Sequence, residues 1–276
     1  MPELPEVETI ARDLRRANLP GQTFTGVHVY WARSVARPDE ASFRARLTGQ
    51  TVESVARRGK FLRFELSGAE TLLIHLRMTG RLYLAPVTEA AMPHLRVSFD
   101  LGDGRQLRFH DMRKFGRMYL TADPDSILGK LGPEPLDETF RASDFQNLLA
   151  GRKMMLKPLL LDQRFIAGIG NIYADEALFL AGLHPQRAAN TLTPPEGAAL
   201  LYAIRQALIL ALGNRGTTLD DYRTVTGKPG ENQDSLQIFR KTGEPCPRCE
   251  HPIERLVVGG RATHICPRCQ PLSGEG

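Results

Sequence analysis

The sequence Cys246-Pro-Arg-Cys249 is followed, after sixteen intervening residues, by Cys266-Pro-Arg-Cys269, and the chain has no other cysteine. Two Cys-x-x-Cys pairs at this separation match a tetrahedral zinc site, because each pair can hold the metal from one tight turn. A disulfide framework is the alternative, but nothing near Met1 resembles a secretory signal. The spacing therefore predicts one structural Zn2+, bound by four thiolates that close its coordination.

The residues between the two cysteine pairs have the pattern of a β-hairpin. Ile253–Val258 and Arg261–Ile265 are rich in apolar residues, and Gly259-Gly260 between them is typical of a two-residue turn. Arg261 follows the turn directly, where it is either a solvated cation or a contact to an anionic partner. We expect a zinc-ribbon hairpin with Arg261 at its tip.

Short apolar runs separated by Gly and Pro fill the chain from residue 25 to about residue 121. Before them, Val7, Ile10 and Leu14 have helical spacing, which predicts an N-terminal helix over Pro5–Arg16. Eight short strands separated by turn residues favour an antiparallel β-sandwich. The predicted strands are Thr25–Tyr30, Thr51–Ala56, Phe61–Leu66, Thr71–Leu76, Arg81–Leu84, Arg96–Asp100, Arg105–His110 and Met118–Thr121.

The sequence changes character at the Pro- and Gly-rich stretch Leu131–Pro135, which we interpret as a linker. Helical patterns follow it, and residues 214–235 are typical of a long polar loop. The predicted helices are Ser143–Ala150 with Ser143 as N-cap, Pro158–Gln163, Asn171–Ala181, and a helix that runs from a capping box at Thr193 to about Leu212.

These patterns together predict an α+β multidomain chain. Residues 1–134 would form an N-terminal antiparallel β-sandwich domain with its N-terminal helix. Residues 135–235 would form a C-terminal helical domain that ends in the polar loop, and residues 236–276 would form the zinc hairpin.

The charge of the chain favours a polyanionic partner. Lys and Arg number 36 against 31 Asp and Glu, which gives a net charge of +5. This surplus alone is weak evidence, but the cations are clustered, as expected for a DNA-binding protein. The clusters are Arg57-Arg58-Gly-Lys60, Arg113-Lys114 with Arg117, and Arg152-Lys153 with Lys157. No apolar run approaches the roughly 20 residues of a membrane helix, so we expect no membrane contact.

The N-terminus could carry covalent chemistry. Removal of Met1 before a small residue would leave a secondary amine at Pro2, and an α-amine with a pKa near 8 is partly neutral at pH 7. Such an amine can attack an electrophilic sugar carbon and form an iminium ion, while Glu3 and Glu6 manage protons. From these residues alone, an ordinary helix start is the simpler interpretation.

The stretch Pro2-Glu-Leu-Pro-Glu-Val-Glu8 resembles the start of the bacterial formamidopyrimidine-DNA glycosylases, also called 8-oxoguanine DNA glycosylases. The resemblance extends over residues 2 to 269, and its blocks are specific as a set although none is so alone. The further blocks are Arg58-Gly-Lys60, Ile74-His-Leu-Arg-Met-Thr-Gly80, Asp111-Met-Arg-Lys-Phe-Gly116, Leu131-Gly-Pro-Glu-Pro135, Gly168-Ile-Gly-Asn-Ile-Tyr-Ala174, Gly182-Leu-His-Pro185, Gly216-Thr-Thr218 and the zinc hairpin.

The resemblance implies a bifunctional DNA glycosylase and AP lyase of base excision repair. It would act as a monomer in the bacterial cytoplasm, on double-stranded DNA that contains oxidised purines or abasic sites. Pro2 would attack the sugar C1′ of the damaged nucleotide, and Glu3 would be the general acid/base. Lys60 and Arg261 would contact phosphate and assist the two steps of β,δ-elimination.

The resemblance also implies residues that replace the extruded nucleotide. Met78, Arg113 and Phe115 would fill the space in the duplex, with Arg113 bonded to the opposite cytosine. Core packing is the ordinary alternative for Met78 and Phe115, and without the resemblance we would prefer it.

Other positions would hold the DNA backbone or the damaged base. His94, Lys153 and Asn171 match backbone contacts, and Lys157 is a further candidate. Asn171 is also a plausible helix N-cap in a helix–two-turns–helix domain. The loop Thr217–Lys228 matches a family loop that closes over flipped 8-oxoguanine. A disordered surface loop is the ordinary interpretation, and the two are compatible because a lid must move.

Three competing interpretations stay open at this point. The related endonuclease VIII branch prefers oxidised pyrimidines, but its start usually reads Pro-Glu-Gly-Pro-Glu-Ile, whereas this chain has Leu4 and Val7. A non-catalytic zinc-ribbon DNA-binding protein would not need Pro2, Glu3 and Lys60. A zinc-stabilised RNA-binding factor would be expected to carry aromatic stacking motifs, which we do not find.

Overall fold

The computed structural model describes residues 1–272. The last four residues of the predicted zinc segment lie outside the described residues. The chain forms two compact units. The N-terminal unit contains Met1–Lys130 together with Asn214–Gln233. The C-terminal unit contains Leu131–Gly213 and the segment that begins at Asp234. The chain therefore changes unit at Leu131, the first residue of the Pro- and Gly-rich stretch Leu131–Pro135, rather than after residue 134. The polar loop, which we expected with the helices, belongs to the N-terminal unit instead, and the zinc segment joins the helices.

Within residues 1–272, the N-terminal unit has nine strands, and they include all eight predicted ones. They are β1 (Phe24–Val29), β2 (Val35–Arg37), β3 (Val52–Arg58), β4 (Phe61–Leu66), β5 (Thr71–His75), β6 (Gly80–Pro86), β7 (Leu95–Leu101), β8 (Arg105–Asp111) and β9 (Arg117–Thr121). Strands β1-β7-β8-β6 form one sheet and β2-β9-β5-β4-β3 the other. Neighbouring strands are antiparallel except β2 and β9, which are parallel.

The N-terminal helix α1 (Leu4–Arg16) packs on β3 and β4 through the predicted apolar face. Val7, Ile10 and Leu14 are buried in the core of this unit, and burial of each such side chain contributes about 1.5–3 kcal/mol. Strand β4 alternates in burial, which explains its alternating sequence pattern. All of β5 is buried, since it lies between β4 and β9 in the middle of its sheet.

Two helices of this unit were not predicted. Helix α2 (Glu40–Leu47) buries only Phe43 and Leu47, so its apolar pattern is too short to be recognised. Its N-cap Asp39 accepts the backbone N–H of Ser42 at 3.0 Å. The second is the four-residue helix α3 (Asp125–Leu128).

The C-terminal unit has the predicted helices and the zinc hairpin. They are α4 (Ala142–Ala150), α5 (Leu156–Leu161), α6 (Asn171–Ala181), α7 (Pro194–Gly213), β10 (Glu254–Val258) and β11 (Arg261–Ile265). Ser143 lies inside α4 and is not its N-cap. The N-cap is Arg141, whose backbone N–H donates to the Asp144 carboxylate at 2.8 Å.

Helix α7 is long and apolar enough, by length and composition alone, to cross a membrane. It is not a continuous apolar run, because Arg205 and Gln206 interrupt its apolar residues. Leu200, Ile204 and Leu208 are buried within the C-terminal unit, where α7 packs against α4 and α6. A core helix of this kind has the same composition as a membrane helix, so composition does not separate the two.

Gly182 and Gly151 both end helices of the C-terminal unit and provide a matched test of backbone conformation. Gly182 caps α6 with φ +67°, whereas Gly151 caps α4 with φ −87°. We expect Gly182→Ala to lower the free energy of unfolding by about 1–2 kcal/mol, because a Cβ disfavours the left-handed region. Gly151→Ala, with open space around its Cβ position, should be neutral or slightly stabilising. Urea denaturation measures both, and equal effects would contradict this account.

Candidate functional site

The start of α1 is fixed by a buried carboxylate. Pro2, Glu3 and Glu6 are all buried. The Glu6 carboxylate accepts the backbone N–H of Glu3 at 2.8 Å through Oε2. Its other oxygen, Oε1, accepts the backbone N–H of Thr217 at 2.8 Å. One side chain therefore joins the predicted nucleophile segment to the beginning of the loop Thr217–Lys228.

The loop Thr217–Lys228 is anchored in the N-terminal unit. Tyr222 and Val225 are buried in its hydrophobic core, and the Tyr222 hydroxyl donates to the carbonyl of Arg215 at 3.1 Å. Burial, followed by the charge of Glu6, raises the pKa of the Tyr222 phenol, so it stays a neutral donor. The alternative of a disordered surface loop does not fit these contacts.

Lys60 occupies the tight turn between β3 and β4, next to Gly59 with φ +55°. The side chain is buried, and His75 of the neighbouring strand β5 lies near it. Burial, followed by the charges of Arg77 and Lys60, lowers the pKa of His75 to about 3. The neutral His75 Nδ1 accepts the backbone N–H of Arg77 at 3.0 Å. His75 is thus a satisfied buried residue that adds no positive charge beside Lys60.

A cluster around Asp111 shapes the turns that carry Met78, Arg113 and Phe115. The two oxygens of buried Asp111 accept the Thr79 hydroxyl at 2.5 Å and the Gly116 backbone N–H at 2.7 Å. Thr79 in turn accepts the backbone N–H of Arg113 at 3.1 Å. The sequence pattern assigns no role to Asp111 or Thr79, because neither residue carries a chemical signal of its own.

Met78 and Phe115 are exposed by 40% and 46%, which excludes core packing as their role in this structure. The Arg113 guanidinium lies 4.8 Å from the centre of the Phe115 ring, a cation–π contact. His94 is also exposed. Large exposed apolar side chains beside an arginine are typical of a binding surface.

An open cavity of about 360 Å³ lies in the N-terminal unit, a volume at the small end of ligand sites. It is bounded by β6, β8, the segment before β7 and the loop Thr217–Lys228. The residues that line it are Thr79, Arg81, Met92, Pro93, His94, His110, Met112 and Asp221. Sequence patterns gave no indication of this cavity, because its walls come from four separate segments.

In the C-terminal unit, Asn171 is the first residue of α6, and Gly170 is the N-cap. The Asn171 Nδ2 donates to the carbonyl of Ala262 at 3.0 Å, which places this side chain beside the tip of the zinc hairpin. Its Oδ1 is buried and has no hydrogen-bond partner within residues 1–272. Arg261 and Lys153 are exposed, so their charged groups are accessible to a partner.

Lys157 does not fit the predicted phosphate contact. Its side chain is fully buried, and its Nζ donates to Asp175 Oδ1 at 2.5 Å and to the carbonyl of Ala262 at 2.9 Å. Asp175 Oδ2 accepts the backbone N–H of His264 at 3.0 Å. Lys157 therefore holds strand β11 in place, and its amine does not face a DNA phosphate. The prediction failed because a basic cluster in the sequence does not show which of its members points inward.

The four cysteines form a metal site. All four Sγ atoms lie within 4.8 Å of one another, with Cys246–Cys269 at 3.8 Å and Cys249–Cys266 at 3.5 Å. A tetrahedral zinc with Zn–S bonds of about 2.3 Å requires sulfurs about 3.8 Å apart, so these residues fit the ion. Four thiolates leave no open position, which makes the site structural. Between the two pairs, Val258 faces Arg261 across the predicted two-glycine turn.

Two further side chains fasten the zinc segment to α6. Arg248 donates to the carbonyls of Phe179 at 2.9 Å and Leu180 at 3.0 Å, at the C-terminal end of the helix. The buried Glu176 carboxylate accepts the backbone N–H groups of Gln237, Ile238 and Phe239, each at 2.9 Å, and burial raises its pKa. Sequence reasoning missed both contacts.

Family models match most of the chain in the order of its segments. Residues 1–118 match the formamidopyrimidine-DNA glycosylase N-terminal domain, and residues 131–222 match the formamidopyrimidine-DNA glycosylase H2TH domain. Residues 243–272 match the zinc finger found in FPG and IleRS. The chain belongs to the formamidopyrimidine-DNA glycosylase family. The family and the predicted α+β fold with its structural zinc are thereby confirmed.

Curated members of the formamidopyrimidine-DNA glycosylase family are similar over nearly the full length. The protein of Protochlamydia amoebophila is 47% identical over 274 residues, covering 98% of this chain and 99% of its own. That of Moorella thermoacetica is 48% identical over 260 residues, covering 93% and 94%. The chain is thus a DNA glycosylase of a DNA repair family.

Solved structures of the family include complexes with damaged DNA. A Lactococcus lactis FPG mutant bound to Fapy-dG DNA is 36% identical, with a TM-score of 0.92, and the match covers 98% of this chain and 100% of that one. The Lactococcus lactis Fpg complex with abasic-site DNA has a TM-score of 0.91 at the same identity and coverage. DNA is accordingly the partner of this fold.

The depressed pKa of His75 predicts a pH dependence of stability. Because the folded pKa of about 3 lies below the unfolded value of 6.5, the unfolded state binds more protons between these values. The free energy of unfolding should therefore decrease as the pH falls from about 6.5 toward 3. In His75→Asn, the amide oxygen can still accept the Arg77 N–H, but the side chain does not titrate. The part of the pH dependence that His75 causes should therefore disappear. Urea denaturation from pH 7 to pH 4 measures the free energy of unfolding of both proteins. Parallel pH profiles for the two proteins would contradict the prediction.

Removal of zinc should unfold the hairpin but not the sheets of the N-terminal unit. Metal analysis should give one zinc per chain, and Cys266→Ser should lose it, because three thiolates no longer close the site. Loss of zinc should also lower the affinity for duplex DNA, since the hairpin that positions Arg261 is no longer folded. Met154→Ser, an exposed apolar-to-polar change in the same unit, is the control. Full DNA affinity in the zinc-free protein would argue against this role.

Proposed function

We propose that the chain excises oxidised purines, 8-oxoguanine and formamidopyrimidines, from double-stranded DNA and then cleaves the strand as an AP lyase. It acts as a monomer in the bacterial cytoplasm. The observation that carries the proposal is the buried start of α1, where Glu6 holds the backbone of Glu3 next to Pro2. This arrangement gives an N-terminal amine and a carboxyl group fixed positions at the same point of the chain.

The first step is formation of an iminium ion. After removal of Met1, the lone pair of the Pro2 amine attacks C1′, the bond from C1′ to the base breaks with its electrons on the base, and the N–H proton of the attached proline passes to the departing base. The sugar ring then opens as the C1′–O4′ bond breaks, and Glu3 donates a proton to O4′. The result is a positive C1′=N bond to Pro2.

The iminium ion acts as an electron sink for strand cleavage. Loss of a proton from C2′ expels the 3′ phosphate, and a further proton loss expels the 5′ phosphate, which leaves a one-nucleotide gap. Lys60 binds phosphate and assists the first elimination, and Arg261 binds phosphate and assists the second.

The remaining site residues hold the DNA in an open form. Met78, Arg113 and Phe115 replace the extruded nucleotide, and their exposure and mutual contact support this role. The backbone contacts are His94, Lys153 and Asn171. The loop Thr217–Lys228 closes over the extruded base, whose site is the cavity that Thr79 and Asp221 line.

Borohydride trapping on a duplex with one 8-oxoguanine opposite cytosine tests the chemistry. We expect a covalent adduct that peptide mapping assigns to Pro2, because reduction fixes the iminium ion. A chain that retains Met1 should bind the duplex but give no adduct. Pro5→Ala is the matched control, since Pro5 is a proline of the same segment without a free amine, and it should still be trapped.

Three outcomes would separate the alternatives. An adduct at a lysine would overturn the assignment of Pro2 as nucleophile. An adduct formed only on oxidised-pyrimidine duplexes would keep the mechanism and change the substrate class. Normal DNA binding without any adduct would favour the non-catalytic interpretation.

A further inference from the structure

Arg81 and Asp221 form an ion pair across the cavity of the N-terminal unit. Arg81 follows the first residue of β6, and its Nη2 lies 3.5 Å from Asp221 Oδ1. Both side chains line the cavity, and both are partly exposed, by 28% and 35%. Asp221 belongs to the loop Thr217–Lys228, so the pair joins this loop to the sheet 140 residues earlier in the chain.

The other anchors of this loop hold different parts of it. Thr217 is bound to Glu6 of α1, and the Thr218 hydroxyl donates to the carbonyl of Tyr222 at 3.0 Å within the loop itself. These contacts fix the beginning of the loop and its internal shape. Tyr222 and Val225 hold the middle of the loop in the hydrophobic core, and the Arg81–Asp221 pair adds a contact between the loop and the β6 wall of the cavity.

Two residues that line the cavity, Arg81 and His110, each have a buried nitrogen without a hydrogen-bond partner within residues 1–272. Arg81 Nε is buried and has no hydrogen-bond partner within residues 1–272, so the guanidinium is not held by a network of its own. The same holds for Nδ1 of His110 on the facing strand β8, which also lines the cavity. The cavity lining combines the apolar residues Met92, Pro93 and Met112 with polar side chains that include Arg81 and Asp221, which suits a flat heterocyclic ring.

We propose that Arg81 is a positioning residue for base excision, which acts through Asp221 to keep the loop Thr217–Lys228 against the wall of the cavity. The inference rests on the proposed function, because it takes the extruded oxidised purine as the occupant of the cavity. Excision requires the loop to be closed over the base. Cleavage at an abasic site does not, since no base is present to be held.

The expected size of the effect follows from the exposure of the pair. Partly exposed ion pairs contribute modestly, which corresponds to about a two- to fivefold change in the closed population. Arg81→Gln and Asp221→Asn should therefore each lower the ratio of 8-oxoguanine excision to abasic-site cleavage about two- to fivefold. The double variant should be no worse than either single variant, because both remove the same contact. The effect should shrink at high salt, which screens the pair in the unsubstituted protein.

Single-turnover kinetics on matched 8-oxoguanine, formamidopyrimidine and abasic duplexes measures this ratio. The charge-exchanged variant Arg81→Asp with Asp221→Arg should restore part of it, which a merely structural role of either side chain would not allow. Asp103→Asn is the control, because Asp103 forms an ion pair of similar exposure with Arg105 on the turn between β7 and β8. An unchanged ratio in Arg81→Gln, or no recovery on charge exchange, would overturn the proposal.

Hydrogen exchange of the loop separates this inference from the proposed function. Arg81→Gln should increase the exchange of the backbone amides of Thr217–Lys228 in the DNA-free protein, whether or not the protein excises any base. If the loop exchanges faster but the protein excises no lesion, the result would support the Arg81–Asp221 contact and contradict the proposed function. Unchanged exchange would overturn the positioning role of Arg81 directly.

Discussion

The buried Glu6 carboxylate joins the two pieces of the N-terminal unit, because it accepts hydrogen bonds from both. A buried carboxylate is costly unless its oxygens are bonded, and Glu6 meets this requirement with one backbone N–H from Glu3 and one from Thr217. The two donors lie more than 200 residues apart, so this side chain decides where the returning segment attaches. The position of the N-terminal amine and the position of the loop are therefore set together, and a change at Glu6 would disturb both.

Buried carboxylates have the same bridging role elsewhere in the chain. Asp111 joins the turns that carry Met78 and Phe115, and Asp175 joins Lys157 to the zinc hairpin. Each accepts donors from segments that are distant in sequence, so each fixes a local geometry that no single helix or strand determines. Loss of one partner would leave an uncompensated buried charge, which is more destabilising than the absence of the whole pair. Rigid support of this kind is what exposed contact residues need in order to keep their positions.

Much of the fold was predictable because its signals are local. Eight strands, the zinc hairpin and the helix Asn171–Ala181 follow from alternation, turn residues and cysteine spacing, and the structure contains them. The failures involve burial and long-range contact. Strand β2 has three residues and no pattern, Lys157 points inward although its basic neighbours are exposed, and the polar loop returns to the first unit through Tyr222 and Val225. Of the candidate site, the sequence indicated chemical types at Pro2, Glu3 and Lys60, but not Asp111, Thr79 or Arg81, because positioning residues carry no distinctive motif.

The return of Asn214–Gln233 to the first unit also constrains how the protein is made. Residues 131–213 must be synthesised before this segment appears, and at roughly 5–20 residues per second this takes roughly 4 to 17 s. During that interval the nascent N-terminal unit lacks Tyr222 and Val225, and Glu6 lacks its Thr217 donor. The helices of residues 131–213 precede this segment in synthesis, whereas the zinc segment that begins at Asp234 follows it. A chain that ends before Asn214 would therefore have its amine and its helices but neither the zinc site nor a complete N-terminal unit.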